Sequence, residues 1–218
     1  MKKYIFSFCF VLCFVSLNAQ RARPVIGSRV KKTPERLDVY ESEIKRIATQ
    51  VTSGVVDTHQ QVFLLYNWVA NTLDYDFELR SDYELQTVFF SSRRILTVAA
   101  LKRKKTVCAG YAYIFEDLCK AQGIEVETIH GFTKKLITSS DIRTKVHHTW
   151  NAVKIKGKWT FVDITWAKSQ GSPGALNHFW FSTSPQDFIK THYPKDKKYT
   201  FLRNPISFEA FEGVGSSK

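Results

Sequence analysis

Between Arg36 and Val51 apolar residues recur at helical spacing, which predicts a helix with Val39, Ile44 and Ile47 facing inward. A second helix is predicted after Asp57-Thr58, which supplies an N-cap, with Val62, Leu65, Trp68 and Val69 on one apolar face. It runs into Asn71-Thr72-Leu73-Asp74-Tyr75-Asp76, which reads as a helix end and turn. Periodicity is weaker over residues 77–107, where one short helix is predicted near Ile95–Leu101. From Ala109 to Gln122 the pattern is helical again, with Ile114, Leu118 and Ala121 along one side and Gly123 as the stop.

Past Gly123 the period changes toward two. Ile124–Phe132 predicts a strand, and Trp150–Ile155 and Lys158–Ile164 predict two more, joined through Lys156-Gly157 as a tight hairpin. His178–Ser182 predicts a fourth strand, Pro185 opens a short helix, and the chain from Asn204 has no regular pattern. Helices first and strands afterwards is the order of an α+β fold, and no internal repeat is present.

The first twenty residues stand apart. A basic Met1-Lys2-Lys3, an apolar Tyr4–Leu17 and a small, polar Asn18-Ala19-Gln20 have the layout of a secretory signal peptide, cleaved after Ala19. The expected organisation is therefore a leader at 1–19, a flexible basic arm at 20–35, one folded domain at 36–212 and a tail at 213–218. No apolar run long enough to span a bilayer follows the leader, so a secreted or periplasmic location is expected. The net charge of +12 falls by two when Lys2 and Lys3 leave, and Lys102-Arg103-Lys104-Lys105 is the densest basic run. Association with anionic polymers is one reading of that charge, and a solvated surface is the plainer one. No nucleic-acid motif accompanies it.

Cleavage would leave two cysteines, Cys108 and Cys119. Eleven residues apart on one helix, they would be separated by about 16 Å of rise. A disulfide needs Cα atoms within roughly 7 Å. Cys119 therefore reads as a small buried apolar residue. Cys108 sits where the helix begins, and the partial positive charge and free N–H groups there favour thiolate, the nucleophilic form. Ala109 and Gly110 keep side chains small beside it, which leaves room for a substrate carbonyl.

The hairpin supplies partners. With Lys156 and Gly157 at the turn, Ile155 faces Lys158, Trp150 falls opposite Asp163, and His148 falls opposite Thr165. His148 and Asp163 then share a face as diagonal neighbours, roughly 7–8 Å apart at Cα. His147 points to the other face, so parity selects His148. An aspartate between Val162 and Ile164 is expected to be buried and to need a partner. A metal site from His147, His148 and Cys108 is disfavoured by the same alternation. Cys108, His148 and Asp163 together have the parts for nucleophilic acyl transfer, with the Cys108 N–H as one oxyanion donor and a second expected from an upstream side chain. Tyr111, Trp150 and Trp166 are candidate substrate-binding residues.

Three segments carry a family resemblance: Thr106-Val107-Cys108-Ala109-Gly110-Tyr111, His148-Thr149-Trp150-Asn151, and Trp159-Thr160-Phe161-Val162-Asp163-Ile164-Thr165-Trp166. Their content and order resemble the core motifs of the transglutaminase-like superfamily. Ser184-Pro185-Gln186-Asp187-Phe188 and Thr191-His192-Tyr193-Pro194 resemble its kyphoscoliosis peptidase branch. The resemblance implies a papain-like α+β core, with the nucleophile helix packed on an antiparallel sheet and Cys108, His148 and Asp163 as a triad. It implies no cofactor and no metal. It leaves the reaction open among hydrolysis of an amide in a peptide, protein or cell-envelope polymer, protein crosslinking, and a non-catalytic binding module. The intact triad favours hydrolysis over a binding module, and the lack of added β-sandwich domains disfavours crosslinking.

Overall fold

The computed structural model describes residues 34–134 and 146–213. The predicted leader, nearly all of the predicted arm and the end of the predicted tail lie outside the described residues. Two helices come first, α1 (Pro34–Val51) and α2 (Thr58–Thr72). In α1, Ile44 and Ile47 are buried as expected, but Val39 is 66% exposed. The inward stripe runs through Tyr40, Ile44 and Ile47, and Val39 lies about a quarter-turn away from it. Helix α2 starts as predicted, the Asp57 carboxylate accepting the Gln60 N–H at 3.0 Å.

Residues 77–107 differ from expectation. They hold three helices, α3 (Phe77–Ser81), α4 (Tyr83–Phe89) and α5 (Arg93–Arg103), rather than one. Each is opened by a side-chain cap: Asp76 on Leu79 N–H, Asp82 on Leu85 N–H and Ser92 on Ile95 N–H. Two of them are too short for an apolar period to show, and cap chemistry sets where they begin. Short strands β1 (Asp74–Tyr75) and β2 (Lys105–Thr106) flank this segment and pair in parallel, Tyr75 opposite Thr106. The pairing delivers the chain to α6 (Cys108–Ala121).

Four antiparallel strands form the main sheet in the order β5-β4-β3-β6: β3 (Val126–Thr133), β4 (His148–Ile155), β5 (Lys158–Val162) and β6 (His192–Pro194). The β4–β5 register is the predicted one, from Ile155 opposite Lys158 to Asn151 opposite Val162. Lys156 (φ 50) and Gly157 (φ 78) are both left-handed, as a two-residue type I′ turn requires. Pairing stops at Val162. Asp163, expected within the strand, instead caps α7 (Ile164–Ser169) by accepting the Trp166 N–H.

The predicted fourth strand at His178–Ser182 is a one-turn 3₁₀ helix, His178–Trp180. The Asn177 side chain caps it and Ser182 is left-handed (φ 56), so an extended run cannot form there. The sheet takes β6 as its fourth strand, with Thr133 opposite His192. Pro185 opens α8 (Pro185–Phe188) as expected. The stretch after Asn204, read as irregular, contains α9 (Phe208–Gly213), whose Phe211 is buried against Phe132 and Tyr193.

The main core lies between α1, α2 and α6 and the sheet, with Leu65, Tyr66, Ile114, Phe115, Leu118, Ile129 and Trp150 among its fully buried side chains. This is the α+β architecture expected from the order of elements. Among the described residues no helix is long and apolar enough to cross a membrane.

Candidate active site

Helix α6 begins at Cys108 with Val107 as its N-cap, and Val107 offers no side-chain cap. The first N–H groups of the helix are thus left to backbone geometry and to whatever binds there. The helix can start this close to β2 because residue 110 is glycine. A Cβ on Gly110 would collide with Thr106 Oγ1. Small size at 110 therefore serves the packing of Thr106, and the room expected there for a substrate is already filled.

His148 opens β4. Its Nε2 lies 2.6 Å from Asp163 Oδ2, which leaves Nδ1 to face Cys108. Burial alone would push the Cys108 thiol up, but its hydrogen bond to His148 and the charge of that ring bring it below its ordinary value. Burial likewise opposes charge on His148. The Asp163 carboxylate and the Cys108 sulfur outweigh it and raise the imidazole to about 10. Asp163 is fully buried, yet the charge and hydrogen bond of His148 hold it well below the usual carboxylate range. The three groups therefore favour a thiolate–imidazolium–carboxylate arrangement.

The structure brings Cys108, His148 and Asp163 together and leaves His147 out. His147 Nε2 accepts the Thr133 N–H at 2.9 Å, and its ring packs on Phe132. Of the three candidate substrate contacts, two are corrected. Tyr111 and Trp150 are each 1% exposed, Tyr111 donating its hydroxyl to Leu73 O, so both are core residues. Trp166 is half-buried with its ring centroid 6.0 Å from that of His148, beside the site. Cys119 is free and buried, its thiol pushed up by burial. Within the basic run, Arg103 and Lys105 are engaged with Asp76 at 2.8 and 3.4 Å.

Two kinds of neighbour escaped the sequence. Upstream, Tyr75 stands on β1 opposite Thr106, and burial and then the Cys108 charge raise its phenol. Arg80 of α3 acts on Cys108 in the other direction, lowering the thiol. Downstream, His192 Nε2 lies 3.1 Å from the same Asp163 oxygen that binds His148. The ligand atoms of His148, Asp163 and His192 lie within 4.8 Å of one another, a spacing that also suits a metal ion. As hydrogen-bonding groups they satisfy one another, each Nε2 facing Asp163 Oδ2.

The family model described as the transglutaminase-like superfamily matches residues 45–164, more than half of the chain and all three of Cys108, His148 and Asp163. The chain belongs to the transglutaminase-like superfamily. Mouse kyphoscoliosis peptidase is 30% identical over 212 residues, covering 88% of this chain and 31% of the relative. The human protein of that name is 29% identical over 192 residues, covering 82% and 28%. Hillarin of Drosophila melanogaster is 22% identical over 173 residues, covering 69% and 20%. The transglutaminase-like chain described here thus spans less than a third of the length of these curated relatives. A crystal structure of a TGase superposes on 64% of this chain and 35% of its own with a TM-score of 0.49 at 18% identity.

Proposed function

We propose that this transglutaminase-like domain is a cysteine-dependent acyl-transfer enzyme that cleaves an amide bond in a peptide or protein and passes the acyl group to water. The observation that carries the reading is the buried 2.6 Å contact of His148 Nε2 with Asp163 while Nδ1 faces a cysteine at a helix start. The Cys108 thiolate attacks the amide carbonyl carbon, and the oxyanion accepts the Cys108 N–H, with the Tyr75 hydroxyl as the upstream donor. As the C–N bond breaks, the His148 imidazolium gives its Nδ1 proton to the leaving amine, leaving a thioester and neutral His148. Water then attacks the thioester while His148 takes its proton. The C–S bond breaks, and acid product, thiolate and imidazolium return. Asp163 accepts from His148 Nε2–H throughout and fixes which nitrogen faces the sulfur.

Alkylation of Cys108 with iodoacetamide at pH 6 tests this without a known substrate. A free thiol with a pKa of about 8.5 is scarcely ionised there. Cys108 is expected to react at least about tenfold faster than such a thiol, and Asp163→Asn to remove most of the advantage. Incubation with peptides and a labelled amine then separates acceptors: free ends mean hydrolysis, amine incorporation means transfer, and Cys108→Ala abolishes either. Reaction no faster than a free thiol would sink the proposal.

A further inference from the structure

We propose that His192 is a positioning residue for this site, a second histidine that holds the Asp163 carboxylate in the orientation His148 needs. The inference rests on the triad reading above and adds a fourth member to it.

Asp163 has two oxygens with different duties. Oδ1 accepts the Trp166 N–H at 2.9 Å and so belongs to the cap of α7. Oδ2 takes both imidazoles, His148 at 2.6 Å and His192 at 3.1 Å. An ionised carboxylate only accepts, so His192 must carry its proton on Nε2. Its Nδ1 is then a bare acceptor, and the Thr191 hydroxyl lies 2.8 Å away to donate to it. The chain Thr191 O–H to Nδ1, then Nε2–H to Oδ2, fixes the tautomer of His192 and aims its N–H at the carboxylate.

His192 is itself fully buried and cannot turn. Its ring stacks on Phe188 (centroids 4.1 Å, 23°) and packs against Trp166, Trp150 and Trp180 at 4.3, 5.2 and 5.3 Å. Burial and the nearby charge of His148 outweigh the carboxylate and hold its pKa down to about 4, so the ring stays neutral while His148 is charged. It is a fixed dipole rather than a second proton carrier. A carboxylate fully removed from water needs every donor it can have to stay ionised. Without His192, Oδ2 would keep one donor and Asp163 would accept a proton more readily. Support for the His148 imidazolium, and through it the Cys108 thiolate, would then fail at a higher pH.

The other titratable groups facing the site are Tyr66 from α2, Tyr75 from β1, Arg80 from α3, Tyr113 from α6 and His147 beside β4. Burial raises all three phenols, so none of them ionises in the acid range where the test is read.

The test is the pH profile of Cys108 alkylation by iodoacetamide in the full chain, which needs no substrate. His192→Phe keeps the flat ring among its aromatic neighbours and removes the donor. The midpoint of its acid limb is expected to rise by about one pH unit, so that the alkylation rate on that limb falls on the order of tenfold, the effect of one hydrogen bond to a charged group. His192→Gln restores an N–H and should return the profile toward wild type. Thr191→Val, which removes the hydroxyl from Nδ1 and from its longer 3.3 Å contact with Phe188 O, should move it the same way as His192→Phe by less, and carries the test if His192→Phe does not fold. A His192→Phe or Thr191→Val profile that coincides with wild type overturns the inference, as does equal displacement by Phe and Gln, which would mark His192 as core packing alone. If wild-type Cys108 itself titrates like a free thiol, the triad reading fails and this one falls with it.

Discussion

Gly110 sits in the first turn of α6, where the Thr106 side chain on β2 fills the space a methyl group would occupy. Gly110→Ala is therefore expected to destabilise the domain by about 1–3 kcal/mol despite the better helix propensity of alanine, because the clash is with a close-packed neighbour. Urea unfolding measures it, and Thr106→Ala in the same chain should recover part of the loss. At this scale the sequence was informative where one residue's chemistry was out of place. A cysteine opening an apolar helix and an aspartate between Val162 and Ile164 both asked for an explanation. His192 and Tyr75 did not, since a histidine before Tyr193-Pro194 and a tyrosine after a helix are unremarkable until their neighbours are known.

The hairpin of β4 and β5 is the element whose register links His148 to Asp163. Its turn has two consecutive left-handed residues, and Gly157 holds the larger angle, φ 78. Gly157→Ala should cost about 1–2 kcal/mol from the left-handed conformation alone, read as a lower urea midpoint. Nothing lies within 4 Å of the added Cβ, so packing contributes nothing to that loss. The hairpin was legible because a two-residue turn fixes every pairing along both strands. Strand β6 was not, because three residues carry no measurable alternation and its partner β3 lies far back in sequence. Helices α3 and α4 are too short for an apolar stripe. Only their caps, Asp76 and Asp82, mark in the sequence where they begin.

For the molecule as a whole, the coupled site predicts how stability depends on pH. Just below about 9, the ordinary value for cysteine, the folded pair holds one proton as imidazolium and thiolate, because the Cys108 thiol is lowered and His148 is raised. The unfolded chain also holds one there, as thiol and neutral imidazole, so this pair contributes no slope. Above about 9 the unfolded chain has lost that proton while folded His148 keeps it up to about 10, and stability falls as pH rises. Below about 6.5 the unfolded chain gains a proton on His192 that the buried ring resists down to about 4, so stability falls as pH drops. Asp163, held well below its ordinary value, adds a loss only below about 4. Urea midpoints from pH 5 to 10 should therefore level off just below about pH 9, fall above it and fall again in the acid range. In Cys108→Ala the alkaline decline should begin near 6.5 instead, because the thiol that balanced the proton count is gone.

The sequence by itself determined that helices precede the sheet strands, the start of helix α6 at Cys108, the hairpin register and, by parity, the choice of His148 over His147. Each follows from spacing along the chain, which the backbone geometry of a helix or a two-residue turn converts directly into position. Tertiary structure decided what spacing cannot reach. It put Tyr111 and Trp150 in the core, set Thr106 in the space beside Gly110, and ended β5 so that Asp163 caps α7 while holding His148. It also brought His192, on β6, to the same Asp163 oxygen that His148 uses. Tyr111 meets Leu73, and His192 meets Asp163, across tens of positions, and packing rather than any local preference selects those contacts.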